Sequence, residues 1–298
     1  MPSETIQKAL QACLGVRAEI VGHQVLAKAS SFPIDTLQIQ PASGERVEVV
    51  CKHLSRDRML EGAAGAKPGF VVDPLREAAV YLDLLAPLQD ELGTARFYGF
   101  EDGILFIERV RGAELYECGI ESWQEAARWL RRFHEHFADN WSGSEHLEER
   151  LLSYDAAWFE RWAERAGRFL EGESAAFESA RAGFSKRVEE IESYPQGLVH
   201  GELYASNVLA EDRRIVPIDW EMAGRGPRWL DLAALTSGPW KADEITQIEG
   251  AYGLADADRP KVAFLRRALA LQWLGWSPDW KPPKGQRQNW LEVFLSDG

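Results

Sequence analysis

The sequence predicts an α+β protein of two lobes, a small antiparallel sheet followed by a larger, mainly helical domain. Three observations carry that expectation. Residues 19–52 read as extended segments joined by short turns and ending in a β-branched run. From residue 121 onward, apolar side chains recur at three- and four-residue intervals, and all twelve tryptophans lie in this part. Near residue 200 the helical pattern is interrupted by a polar loop and a short hydrophobic hairpin. With 298 residues, 45% hydrophobic and 27% charged, the chain has enough material for two lobes sharing one cleft.

Taken in order, residues 5–14 form a leading helix, and segments 19–28, 34–40 and 46–52 build an antiparallel meander. The Pro41-Ala42-Ser43-Gly44 turn leads into its third strand. Asp73-Pro74 places an N-cap and a first-turn proline before an amphipathic helix that runs to residue 85. The Asp102-Gly103 pair joins strands 95–101 and 104–110 as a hairpin. Helices are expected over 121–137, 147–170, 175–191, 241–252 and 259–273. Residues 62–69, rich in glycine and alanine, read as loop.

The chemistry concentrates in His200-Gly201-Glu202-Leu203-Tyr204-Ala205-Ser206-Asn207 and, beyond a hairpin, Ile218-Asp219-Trp220-Glu221. Glu202 and Asn207 stand five positions apart, with Asp219 twelve further on. Protein kinases use the same interval between an acid and a magnesium-binding Asn, followed by a metal-binding Asp. Such convergence suits phosphoryl transfer. Mg²⁺ takes hard oxygen ligands, and an attacking hydroxyl needs a carboxylate to orient it and accept its proton.

At these residues the chain resembles the aminoglycoside phosphotransferase family, whose pattern reads His-Gly-Asp, four residues, Asn, and later Asp-Trp-Glu or similar. The resemblance implies a protein-kinase-like fold with a nucleotide-binding lobe at 1–111 and a helical lobe at 112–298 holding the catalytic loop and acceptor site. It assigns the base to Glu202, where the family has the shorter Asp, and the metal ligands to Asn207 and Asp219. His200 and Asp231, the latter in Gly226-Pro227-Arg228-Trp229-Leu230-Asp231, receive structural roles. It further implies that Lys52 grips nucleotide phosphates with Glu77 as partner, that Ser30 and Ser31 cover them, and that the backbone at Glu108 and Val110 binds adenine.

The implied activity is transfer from ATP, with GTP open, through Mg²⁺ to a hydroxyl of an aminoglycoside-like or related small molecule, as in antibiotic resistance. Alternatives are a kinase for another alcohol, a sugar or a choline-like amine, and a pseudokinase-like protein that binds a nucleotide or partner without turnover.

Charge and composition bound the reading. The net charge is −13, distributed as −3 through Arg111 and −10 beyond it. That disfavours nucleic acid and favours cationic ligands. Absence of a long apolar run and of a basic, apolar leader after Met1 predicts a cytoplasmic protein without membrane contact. Cys13, Cys51 and Cys118 are odd in number, far apart and without metal-ligand spacing, which argues against both a disulfide framework and a zinc site and predicts three reduced thiols. His134 and His136, two apart on a helix, do not face one way. The tryptophans crowded near the end, Trp273, Trp276, Trp280 and Trp290, are read chiefly as core, some bordering the acceptor site.

Overall fold

The computed structural model describes residues 4–15, 18–26, 31–42, 44–138, 142–170, 174–238, 240–276, 282 and 284–296. Helix α1 (Glu4–Leu14) precedes strands β1 (Ala18–Val25), β2 (Ile34–Pro41) and β3 (Val47–His53). The short helix α2 (Glu61–Ala66) follows, then α3 (Arg76–Val80), which continues through a π-helical turn into α4 (Ala86–Leu92). Strands β4 (Phe97–Glu101) and β5 (Ile104–Glu108) complete a five-stranded sheet of order β1-β2-β3-β5-β4, in which all neighbours are antiparallel. Asp102 and Gly103 both take positive φ, as a tight two-residue hairpin turn requires.

The second lobe opens with β6 (Ala113–Glu114) and α5 (Ile120–His136). After α6 (Glu145–Glu148), β7 (Leu152–Ser153), α7 (Ala156–Phe169) and α8 (Ala175–Ser185), the chain enters β8 (Gln196–Val199) and the hairpin β9 (Val208–Glu211) and β10 (Arg214–Pro217). Strand β11 (Gly224–Pro227) leads into helices α9 (Trp229–Leu235), α10 (Ala242–Tyr252), α11 (Arg259–Leu274) and α12 (Gln286–Leu295). Two small sheets, β10-β9-β6 and β7-β11-β8, hold the segments around residues 200–207 and 218–221 within this helical mass.

Four expectations need correction. Residues 62–69 are not loop throughout: α2 occupies Glu61–Ala66, its turns closed by Ala64 and Lys67 N–H groups donating to Leu60 and Ala63 carbonyls. The helix expected over 147–170 is broken, because Leu152 and Tyr154 donate their N–H groups to Ala223 and Arg225 as β7 pairs with β11. A new helix then starts at Ala156, capped by the Asp155 carboxylate accepting from Trp158 N–H at 2.8 Å. The helix over 175–191 stops at Ser185 and continues only as a 3₁₀ turn, Val188–Ser193. Pro195 disfavours helical backbone at Tyr194, which is extended. Asp73, expected as an N-cap, lies just outside α3 and accepts from Leu75 N–H at 2.9 Å while pairing with Arg150.

Two cores result. The larger runs from the cleft-facing side of the first sheet, through Leu105 and Ile107, into the aromatic interior of the helical lobe. The smaller lies on the other side of the sheet, where Ile6, Ala9 and Leu10 of α1 cover Leu37, Ile39, Val49, Cys51 and Phe106. Leu10→Ala removes a fully buried side chain and is expected to cost about 2–5 kcal/mol, read by urea denaturation. A cost below about 1 kcal/mol would mean that α1 is not seated on the sheet.

Candidate active site

The 200–207 loop leaves β8 at Val199 and turns at Gly201, whose φ is +83°. A Cβ there would lie 2.2 Å from Tyr154 Oη and 2.3 Å from the Met222 carbonyl oxygen, so only glycine fits. Asp231, at the first turn of α9 and wholly buried, accepts the His200 N–H at 2.8 Å and the Gly201 N–H at 2.9 Å. The same carboxylate receives His134 Nε2–H at 3.2 Å, and Tyr252 Oη donates to His134 Nδ1 at 3.0 Å. His200 Nε2–H donates to the Ile218 carbonyl at 2.9 Å, and its Nδ1 accepts the Glu202 N–H at 3.3 Å. Burial lowers the pKa of both His134 and His200, so the neutral rings this network requires are the favoured forms.

Around this frame the predicted residues meet. Lys52 Nζ donates to both Glu77 oxygens, at 2.7 and 2.9 Å, and to Asp219 Oδ1 at 3.0 Å. Burial alone would lower the pKa of Lys52, but the carboxylates of Asp219 and Glu77 reverse that and hold the ammonium above its ordinary value. Burial pushes Glu77 up to about 7 against the pull of Lys52, and would raise Asp219 too, but Lys52 holds that carboxyl below its usual value. Asp219 adopts left-handed backbone, φ 66°, a region Asp enters more readily than most residues. Asn207 Nδ2 donates to the Glu202 carbonyl at 3.0 Å, which leaves its amide oxygen for a ligand.

Glu202, Asn207 and Asp219 line one cavity of about 1540 Å³, together with Ser31, Lys67 and Glu221. Burial pushes the Glu202 carboxyl up to about 8; Lys67 pulls it down, while Glu221 and Asp219 add to the rise. Ser31 Oγ donates to Glu221 Oε1 at 2.9 Å, and Lys67 forms an ion pair with the same oxygen. Ser30 lies outside the described residues, as do Lys28 and Trp280. Glu108 and Val110 do not line the cavity. The Glu108 carboxylate is clamped by Arg214 at 2.7 and 2.8 Å, and Val110 packs against the larger core.

Sequence reasoning missed two residues. Lys67 reaches Glu221 across 154 positions, and nothing near it in the chain signals that partner. Arg76, buried at the start of α3, donates to the carbonyls of Val71, Arg150 and Glu221 and so ties the helix carrying Glu77 to the segment after Asp219.

A two-lobed fold with a buried Lys–Glu pair, a metal-type Asp beside it and a carboxylate in the adjoining cavity defines a kinase-like phosphotransferase. The model of the phosphotransferase enzyme family (APH) matches residues 73–265, and the chain belongs to that family. It is accordingly a phosphotransferase with a hydroxyl group as acceptor. No curated protein matches the sequence. Among solved structures, a microcompartment-associated aminopropanol kinase superposes with a TM-score of 0.63 at 19% identity, covering 97% of this chain and 92% of the other. A choline kinase from Streptococcus pneumoniae gives 0.60 at 14%, covering 99% and 92%. An ADP-bound aminoglycoside phosphotransferase gives 0.59 at 12%, covering 98% and 97%. The fold is thus the protein-kinase-like one.

Replacing Asp231 by Asn turns an acceptor of two backbone N–H groups into a group with a donor at one of those positions. The expected loss is at least about 1.5–3 kcal/mol in urea denaturation; a loss under about 0.5 kcal/mol would show that the loop is held by other means. The histidines add a pH signature. Their folded pKa values lie below the ordinary 6.5, so below that pH the unfolded chain binds more protons and stability falls as pH drops. The raised carboxyls of Glu77 and Glu202 act in the opposite sense over the same range, so the histidine contribution is read directly: in an NMR titration both rings should remain neutral at pH 6.5, and a ring already half-protonated there would contradict the buried neutral forms.

Proposed function

We propose that this protein transfers the γ-phosphoryl group of ATP to a hydroxyl of a small amphipathic molecule. The observation that carries the reading is the Lys52 ammonium held between Glu77 and Asp219, with Glu202 and Asn207 beside Asp219 at one cavity. Likeness to an ADP-bound aminoglycoside phosphotransferase and to choline and aminopropanol kinases supports a nucleotide and a small-molecule acceptor. GTP is the alternative donor. In this reading residues 1–111 form the nucleotide lobe and residues 112–298 the acceptor lobe, with the backbone at Glu108 and Val110 facing adenine.

The donor set of Asn207 Oδ1 and the Asp219 carboxylate fits Mg²⁺, a hard cation that takes oxygen ligands. When bound, Mg²⁺ supplies charge neutralisation at the phosphate oxygens. Lys52, fixed by Glu77, positions the phosphates, and Ser31 offers its hydroxyl from the covering turn. Glu202 orients the acceptor hydroxyl and takes its proton as the new O–P bond forms and the bridging P–O bond breaks to release ADP.

The cavity walls bear on the acceptor. Trp273 and Trp290 stack at 5.4 Å and 14°, with Leu269, Ile245 and Val293 also lining the space. The acidic lining groups, Glu61, Glu202, Asp219 and Glu221, are nearly matched by Lys67, Arg266 and Arg267. This lining favours an alcohol with a broad apolar face over a densely charged polycation. The acidic excess of the second half resides largely on helix surfaces, such as exposed Glu125, Glu135 and Asp256.

Calorimetric titration with ATP and GTP, with and without Mg²⁺, followed by ADP-release assays against a panel of alcohols, tests the reading. Magnesium-dependent binding lost in Asp219→Asn, and turnover reduced roughly 10²–10⁴-fold in folded Glu202→Gln, are expected. A folded wild type that binds nucleotide but phosphorylates no acceptor would favour a binding protein without turnover. Because Glu202 must be ionised to accept a proton and its carboxyl sits at about 8, kcat/KM should climb with pH through that region in the free enzyme. A profile unchanged in Glu202→Gln would remove Glu202 as the base.

A further inference from the structure

The α1-covered face of the five-stranded sheet carries a cluster that takes no part in the cleft chemistry. Asp35 of β2 sits directly opposite Cys51 of β3, and His53 follows Cys51 by two residues, hence on the same face. His23 of β1 lies one row away on the other side of Asp35, opposite Leu37. Asp35 Oδ2 is 2.9 Å from His53 Nε2 and 3.4 Å from His23 Nε2, and Cys51 Sγ is 3.9 Å from His53 Nε2. One ligand atom from each of Asp35, Cys51 and His53 lies within 4.8 Å of the others. His23 Nε2 is buried and has no hydrogen-bond partner, an orphaned nitrogen beside a buried carboxylate.

We propose that Asp35, Cys51 and His53, with His23 as the fourth ligand, form a Zn²⁺ site. Nitrogen, sulfur and carboxylate donors are the set Zn²⁺ prefers. Its bonds of about 2.0–2.3 Å space tetrahedral ligands about 3.3–3.8 Å apart; the Asp35–His53, Asp35–His23 and Cys51–His53 separations of 2.9, 3.4 and 3.9 Å bracket that range, while His23 stands outside the three-residue cluster and reaches the ion by a turn of its side chain. Binding releases the Cys51 thiol proton to solvent, and the thiolate and carboxylate together neutralise the dication in a buried place. The two imidazoles, each with roughly a fifth of its side chain exposed, give the ion its entry. Mg²⁺, which takes oxygen ligands in octahedral geometry, does not compete for this donor set. The site would join β1, β2 and β3 on one face while Lys52, between Cys51 and His53, points to the cleft from the other.

The test uses the full chain, dialysed against excess Mg²⁺ after exposure to Zn²⁺ alone. One Zn²⁺ retained per chain, a higher thermal midpoint than the metal-free protein, and binding weakened at least about tenfold in His53→Gln and in Asp35→Asn are expected. Cys13→Ser/Cys118→Ser leaves Cys51 as the sole thiol, and its Co²⁺ form should show a thiolate-to-cobalt charge-transfer band. This measurement leaves every proposed ligand intact and so does not depend on the ligand variants folding. Zinc lost on dialysis, affinity unchanged in the ligand variants, or a cobalt spectrum without that band would overturn the site.

Discussion

The Asp231 carboxylate is the constraint on which the active site rests. It is wholly buried, yet it accepts two consecutive backbone N–H groups and a histidine N–H, so its charge is spread over three donors. An ionised group in such a place is tolerable only when satisfied in this way. In return it dictates where the chain turns between β8 and Glu202. Gly201 permits the turn, Tyr154 and Met222 close off the space beside it, and His200 passes the constraint to Ile218, next to Asp219. The acid and the Asp on opposite sides of the hairpin are therefore registered through one carboxylate.

A second set of contacts fixes the first lobe to this frame. Lys52 bridges Glu77 and Asp219, Arg76 reaches the Glu221 carbonyl, and Lys67 and Ser31 both engage the Glu221 side chain. Nearly all these partners are charged and lie in or beside the cleft. The apolar core runs continuously behind them, so packing sets the approach of the lobes while the charges set local position. Lys52 illustrates the balance: it is desolvated, and two carboxylates compensate.

What could be read in the sequence was what is local along the chain. The Glu202, Asn207 and Asp219 spacing survives translation into structure because a loop and one hairpin carry all three. The Asp102-Gly103 turn was legible because its backbone conformation is dictated by two residues. Residues 147–170 misled because their helical periodicity is genuine on both sides of Leu152, while the strand there is imposed by β11, some seventy residues later. Residues 62–69 misled in the opposite direction, since glycine content hid a short helix that packs into the cleft. Lys67, Arg76 and the His23, Asp35, Cys51 and His53 cluster all depend on partners from distant strands or segments, which no local pattern encodes.

The division into two cores has a dynamic consequence. The layer between α1 and the sheet is a small apolar unit, and its interior is not continuous with the larger core across the strands. Local opening free energies follow buried contact, so such a layer can separate at less than the cost of global unfolding. Backbone amides of α1 would then exchange with solvent before those of β3 and β5, whose hydrogen bonds lie in the middle of the sheet. The strand carrying Lys52 would keep its alignment while its outer cover breathes.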